Sequence, residues 1–119
     1  MSKRSDASIS RPTEGNRQPM SRIYSRDKTR CAVTFTLPKE AAPDSKTVAV
    51  AGSFNDWSVD RNPMKRAGDG SYSLQLDLEA GKTYEFRFVI DGVRWENAWN
   101  ADKYVWNDGA KCENSVVIT

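Results

Sequence analysis

The chain has 119 residues, enough for one domain and too short for two comfortable ones. Apolar residues make up 38%, charged residues 29%, and histidine is absent, which excludes imidazole-based catalysis and removes the commonest zinc ligand. The net charge of +2 divides unevenly: residues 1–30 hold eight basic and three acidic side chains, residues 31–119 hold ten and thirteen.

Within 1–30 only Met1, Ala7, Ile9, Met20, Ile23 and Tyr24 are apolar. Such a stretch buries too little surface to offset its ordering entropy, so it is expected to be a disordered basic leader. It holds no apolar core of the kind a secretory signal needs, which predicts a cytoplasmic protein with reduced thiols at Cys31 and Cys112. No apolar run reaches the length of a membrane span, so no membrane association is expected.

From residue 31 the pattern has period two. Val33, Phe35 and Leu37 alternate with Ala32, Thr34 and Thr36, and Val48 and Val50 alternate with Ala49 and Ala51. Tyr72, Leu74, Leu76 and Leu78 follow, then Tyr84, Phe86, Phe88 and Ile90, and finally Val116 and Ile118. Runs of five to seven residues with β-branched and aromatic side chains read as half-buried strands. Turn residues separate them at Pro43-Asp44, Gly68-Asp69-Gly70, Ala80-Gly81 and Asp91-Gly92, the last a strong hairpin signal. The expected fold is therefore all-β, a sandwich of about seven strands spanning 31–119. Asn97 to Asn107 reads as a turn-rich loop between the last two strands.

Between Val48 and Ile90 the order of features becomes specific. A strand runs into Gly52-Ser53-Phe54-Asn55-Asp56-Trp57, a Pro63-Met64 step follows, and Tyr84 to Asp91-Gly92 leads to Trp95 and to Glu113-Asn114-Ser115-Val116-Val117. This succession resembles the early-set glycogen-binding domain, carbohydrate-binding module family 48. That domain occurs in the β subunit of AMP-activated protein kinase and precedes the catalytic barrel of isoamylases and glycogen branching enzymes. The resemblance implies an immunoglobulin-like, early-set sandwich. It also implies that Trp57 and Trp95 stack on sugar rings, that Arg87 stands where a lysine binds sugar hydroxyls, and that Asn114 contacts another hydroxyl. Two departures stand out. The polar pair is Glu113-Asn114 rather than Asn-Asn, and a leucine that threads the bend of the glucan has no counterpart in Asp108-Gly109-Ala110-Lys111.

The residue chemistry suits such a ligand. A glucose ring offers a face of C–H groups to an indole and a rim of hydroxyls to planar or charged side chains. The residues themselves leave alternatives open: Trp57 and Trp95 as loop-packing tryptophans, Arg87 as a surface ion pair with Glu85, and Asn114 as a partner for backbone groups. Trp99 and Glu113 are further candidate ligand contacts, and Trp106 with Tyr104 could extend the aromatic platform or pack the loop. No spacing of carboxylates sets up a glycosidase pair, and no metal or cofactor motif is present. The expectation is a non-catalytic module binding α-glucan polymer or maltooligosaccharide, without cofactor. The alternative is an adaptor of the same fold that docks a protein through the sandwich or the leader; nucleic acid is not an expected partner.

Overall fold

The alternating runs become the strands of two facing sheets in a computed structural model that describes residues 20–119. The strands are β1 (Ser21–Tyr24), β2 (Arg30–Leu37), β3 (Val48–Gly52), β4 (Lys65–Arg66), β5 (Tyr72–Glu79), β6 (Thr83–Ile90), β7 (Arg94–Glu96), β8 (Lys103–Asn107) and β9 (Cys112–Ile118). One sheet has the order β1-β2-β5-β4 and the other β3-β6-β9-β8, with β7 pairing to β6 beside β9. All pairings are antiparallel.

The core lies where the inward positions meet. Val33, Phe35 and Leu37 of β2 face Val50, Phe86, Phe88 and Val117 of the other sheet, and all are buried. Phe35 and Phe86 meet edge to face, with ring centroids 4.9 Å apart. Asp91 and Gly92 both take positive φ, 53° and 76°, and the Val93 amide donates to the Ile90 carbonyl. This is the tight turn that Asp-Gly predicts; with Ile90 paired to Arg94, Asp91, Gly92 and Val93 form a three-residue hairpin loop that turns β6 back into β7.

Two expectations need correction. Composition extends the disordered leader to residue 30, but Ser21–Tyr24 form β1 and pair with Cys31–Thr34, with Met20 buried. Arg22 forms paired hydrogen bonds with the Asp102 carboxylate, at 2.6 and 2.9 Å, and a third with the Ile118 carbonyl at 2.7 Å. Thus β1 is held by edge pairing, charge-assisted bonds and the anchoring of the preceding Met20 rather than by an apolar face of its own, so composition does not reveal it. The remainder of the expected leader, 1–19, lies outside the described residues. The second correction is β8, which pairs with β9 inside the stretch that reads as a loop.

Candidate functional site

The site grows from the end of β3. A Cβ on Gly52 would lie 2.5 Å from the Glu85 carbonyl oxygen and 2.9 Å from Phe86 Cβ, so only glycine lets β3 approach β6 this closely. Beyond it the buried Asn55 side chain organises the loop. Its Oδ1 accepts from the amides of Gly52 (3.0 Å) and Ser58 (3.3 Å). Its Nδ2 donates to the Val50 carbonyl (2.9 Å) and to Asn62 Oδ1 (2.6 Å). The next two residues, Asp56 and Trp57, both adopt left-handed φ, 57° and 59°. A bulky residue there is strained by about 1–3 kcal/mol, a cost that recurs at binding sites and needs surroundings that fix the conformation. The Asn55 hub supplies them.

Trp95 comes from the other direction. On β7 it opposes Val89 of β6, and so shares the outward face of the five-stranded sheet with Arg87 and Glu85. Its approach is fixed by the segment after β7. Ser115 Oγ donates to Asn97 Oδ1 (2.7 Å) and accepts from the Ala98 amide (2.9 Å), while the Tyr104 hydroxyl donates to the Ala98 carbonyl (2.6 Å). The Trp57 and Trp95 rings lie with centroids 6.5 Å apart, inclined at 43°. They are both half-buried and form an angled pair of apolar faces.

Arg87 completes this corner. Its guanidinium carbon lies 4.9 Å from the Trp95 centroid, a cation–π arrangement that keeps the charged head at the rim of the platform. Glu85 does not pair with it; one carboxylate oxygen accepts from Asn114 Nδ2 at 2.9 Å. Asn114 is only 1% exposed. An ionised carboxylate can only accept, so Glu85 fixes which way the Asn114 amide points. That leaves Asn114 Oδ1 and Arg87 Nε as buried polar atoms with no partner. Each such atom costs about 1–3 kcal/mol and calls for a functional or solvent partner.

Trp57, Trp95, Arg87 and Asn114 are therefore brought to one face. Glu113 is not: it opposes Trp106 in the β8–β9 register and alternates away from Asn114. Trp99 is half-buried on the segment joining β7 to β8. Trp106 is 61% exposed, its indole N–H directed to Asp108.

The profile of a family described as the glycogen recognition site of AMP-activated protein kinase matches residues 20–118. The chain belongs to this family. Relatives of the chain include Protein PTST homolog 2, chloroplastic, of Arabidopsis thaliana, 47% identical over 49 residues, covering 41% of this chain and 9% of that protein. The 1,4-alpha-glucan branching enzyme GlgB of Pseudomonas putida is 33% identical over 87 residues, covering 67% of this chain and 11% of the enzyme. The corresponding enzyme of Photobacterium profundum is 46% identical over 46 residues, 38% of this chain and 6% of the enzyme. The chain thus spans about a tenth or less of the length of these relatives.

Within this domain, two positioning residues are not assigned by the sequence. Asn55 is visible there only as a polar neighbour of Trp57. Glu85, two residues before Arg87 and hence on its face, is visible as a charge but not as the partner of Asn114.

Proposed function

We propose that this domain docks on α-1,4-linked glucan, as glycogen, starch-like polymer or maltooligosaccharide, and that it contributes binding rather than catalysis. The observation that carries the reading is the inclined Trp57–Trp95 pair, with Arg87 over the Trp95 ring and Asn114 bonded to Glu85 on the same face of the sheet. The indole faces offer apolar area to the C–H faces of successive glucose rings. Arg87 supplies donors to hydroxyl oxygens, and Asn114, its Nδ2 engaged by Glu85, holds an acceptor, Oδ1, that no other side chain takes up. Membership of a glycogen-recognition family and likeness to branching enzymes support the same ligand class.

Two stacking contacts and two hydroxyl bonds support a dissociation constant of about millimolar to ten micromolar. That range suits a module that gains residence on a polymer through repeated sites. A cytoplasmic setting belongs to the same proposal; among the described residues no helix is long and apolar enough to cross a membrane. Titrating the fluorescently labelled protein with maltoheptaose, β-cyclodextrin and glycogen tests it. Saturable binding is expected, and flat titrations with all three ligands reject the reading in favour of a protein-docking adaptor.

A further inference from the structure

The outward face does not end at the tryptophans. Along β6, Glu85 and Arg87 lie on the Asn114 side, Val89 lies opposite Trp95, and Asp91 follows at the turn. Beyond Trp95 in this order lies a groove of about 330 Å³, lined by Ala49, Val59, Asp60, Pro63, Val89 and Asp91 among others. It adjoins the platform, because Val89 of its floor opposes Trp95 across β6–β7, while Ala49 opposes Val89 across β3–β6 and bridges to Pro63 on the returning loop. That loop, 58–63, is the one that leaves Trp57.

The lining has a definite chemistry. Ala49, Val59, Pro63 and Val89 give a floor of small aliphatic groups, with Val59 44% exposed. Two carboxylates stand on the walls. Asp91 Oδ1 accepts from the amides of Lys46 (2.7 Å) and Thr47 (2.9 Å), and Asp60 Oδ1 accepts from Ser58 Oγ (3.0 Å). The bonds from Thr47 and Lys46 hold the Asp91 carboxyl below its ordinary pKa. An apolar floor with carboxylate acceptors on its walls fits an uncharged polyol, whose C–H groups meet the floor and whose hydroxyls donate to the rim.

We infer that this groove is a further subsite of the glucan platform, taking the glucosyl residues that continue past Trp95. The inference rests on the glucan reading above and adds a chain-length preference to it. A ligand long enough to reach from Asn114 across both rings into the groove gains contacts that a trisaccharide on the rings does not.

Calorimetry of the whole chain with maltotriose and maltoheptaose decides it. The wild type is expected to bind maltoheptaose roughly five- to tenfold more tightly than maltotriose. Val59→Asp, which replaces part of the apolar floor by a hydrated charge, and Asp60→Ala, which removes an acceptor, are each expected to collapse that ratio toward one. Ile23→Ser, on β1 of the other sheet, is expected to keep it. Equal affinities for the two sugars in the wild type, or an undiminished ratio in both groove variants, overturns the subsite. Failure of the wild type to bind either sugar overturns the glucan reading and the subsite together.

Discussion

The two sheets present outward faces built by the same alternation, yet the faces differ. On the four-stranded sheet the outward residues of β2 and β5 are Ala32, Thr34, Thr36, Ser73, Gln75 and Asp77, all half-buried or exposed. On the five-stranded sheet the outward Ala49, Ala51, Val89, Asn114 and Val116 are buried. Trp95 and the loop returning from Trp57 past Pro63 lie on that face. A strand patterned for one wet face gains a second covered face only when something is built on it. In this domain what is built is the ring pair with its polar rim.

The largest effect expected from this contrast is loss of binding. Replacing Trp57 and Trp95 together by Ala removes both stacking contacts, about 2–6 kcal/mol in sum, and should abolish retention on a glycogen affinity gel. The paired change Thr34→Ala with Gln75→Ala on the opposite face should leave retention at the wild-type level. Loss in both double variants breaks the distinction between the faces.

A finer test lies at the Glu85–Asn114 bond. Asn114→Asp sets two carboxylates against each other and should weaken maltoheptaose binding about tenfold, the loss of roughly one charged hydrogen bond. Adding Glu85→Gln restores a donor facing the introduced carboxylate and leaves one of its oxygens free to accept, so the double variant should recover most of the affinity in calorimetry. Recovery shows that the side chain at position 114 serves the sugar as an acceptor; no recovery shows that its amide N–H is needed instead.

On the stability side, Arg22→Ala should lower unfolding free energy by about 1–2 kcal/mol, between an exposed pair and a buried charged bond. It should leave glucan affinity unchanged. Partial burial of Asp102 works against ionisation, but the bonds from Arg22 and the Ile118 amide outweigh it and hold the carboxyl below its ordinary value of 3.8. Stability from a carboxylate with lowered pKa is fully present above the unfolded value. It is lost as pH falls through the folded one. Denaturant melts of wild type and variant should therefore differ most at neutral pH and draw together in acid below 3.8, keeping only the difference due to the Arg22 bond to the Ile118 carbonyl.

The smallest effect belongs to Glu113→Asn. The side chain lies across β9 from Asn114, so calorimetry with maltoheptaose should show less than about a twofold change, near the limit of what roughly 0.4 kcal/mol produces. A several-fold gain would place Glu113 in the site despite its face.

How much of this is legible in the sequence follows the physics of each signal. β2, β5 and β6 are readable because one inward side of each carries aromatic or branched residues at strict period two. β8 is hidden because Lys103 to Asn107 sits between turn residues at a sheet edge, where neither side is fully buried. Trp57, Trp95 and Arg87 are readable through their order in the motif and the alternation along β6. The burial of Asn114 and its bond to Glu85 are not, because both depend on the register between β6 and β9, which a one-residue slip would reverse. The same register separates Glu113 from its neighbour.

The contacts of β1 carry one more consequence. Tyr24 donates its hydroxyl to the Thr119 carbonyl at 2.5 Å, and Arg22 reaches the carbonyl of Ile118. The first described strand and the last one thus finish side by side, so the order in which the strands are threaded is separable from the way they stack. A permuted polypeptide, with a short glycine–serine bridge from Thr119 to Met20 and new ends cut at the exposed Gly68-Asp69 turn, would keep every pairing of both sheets.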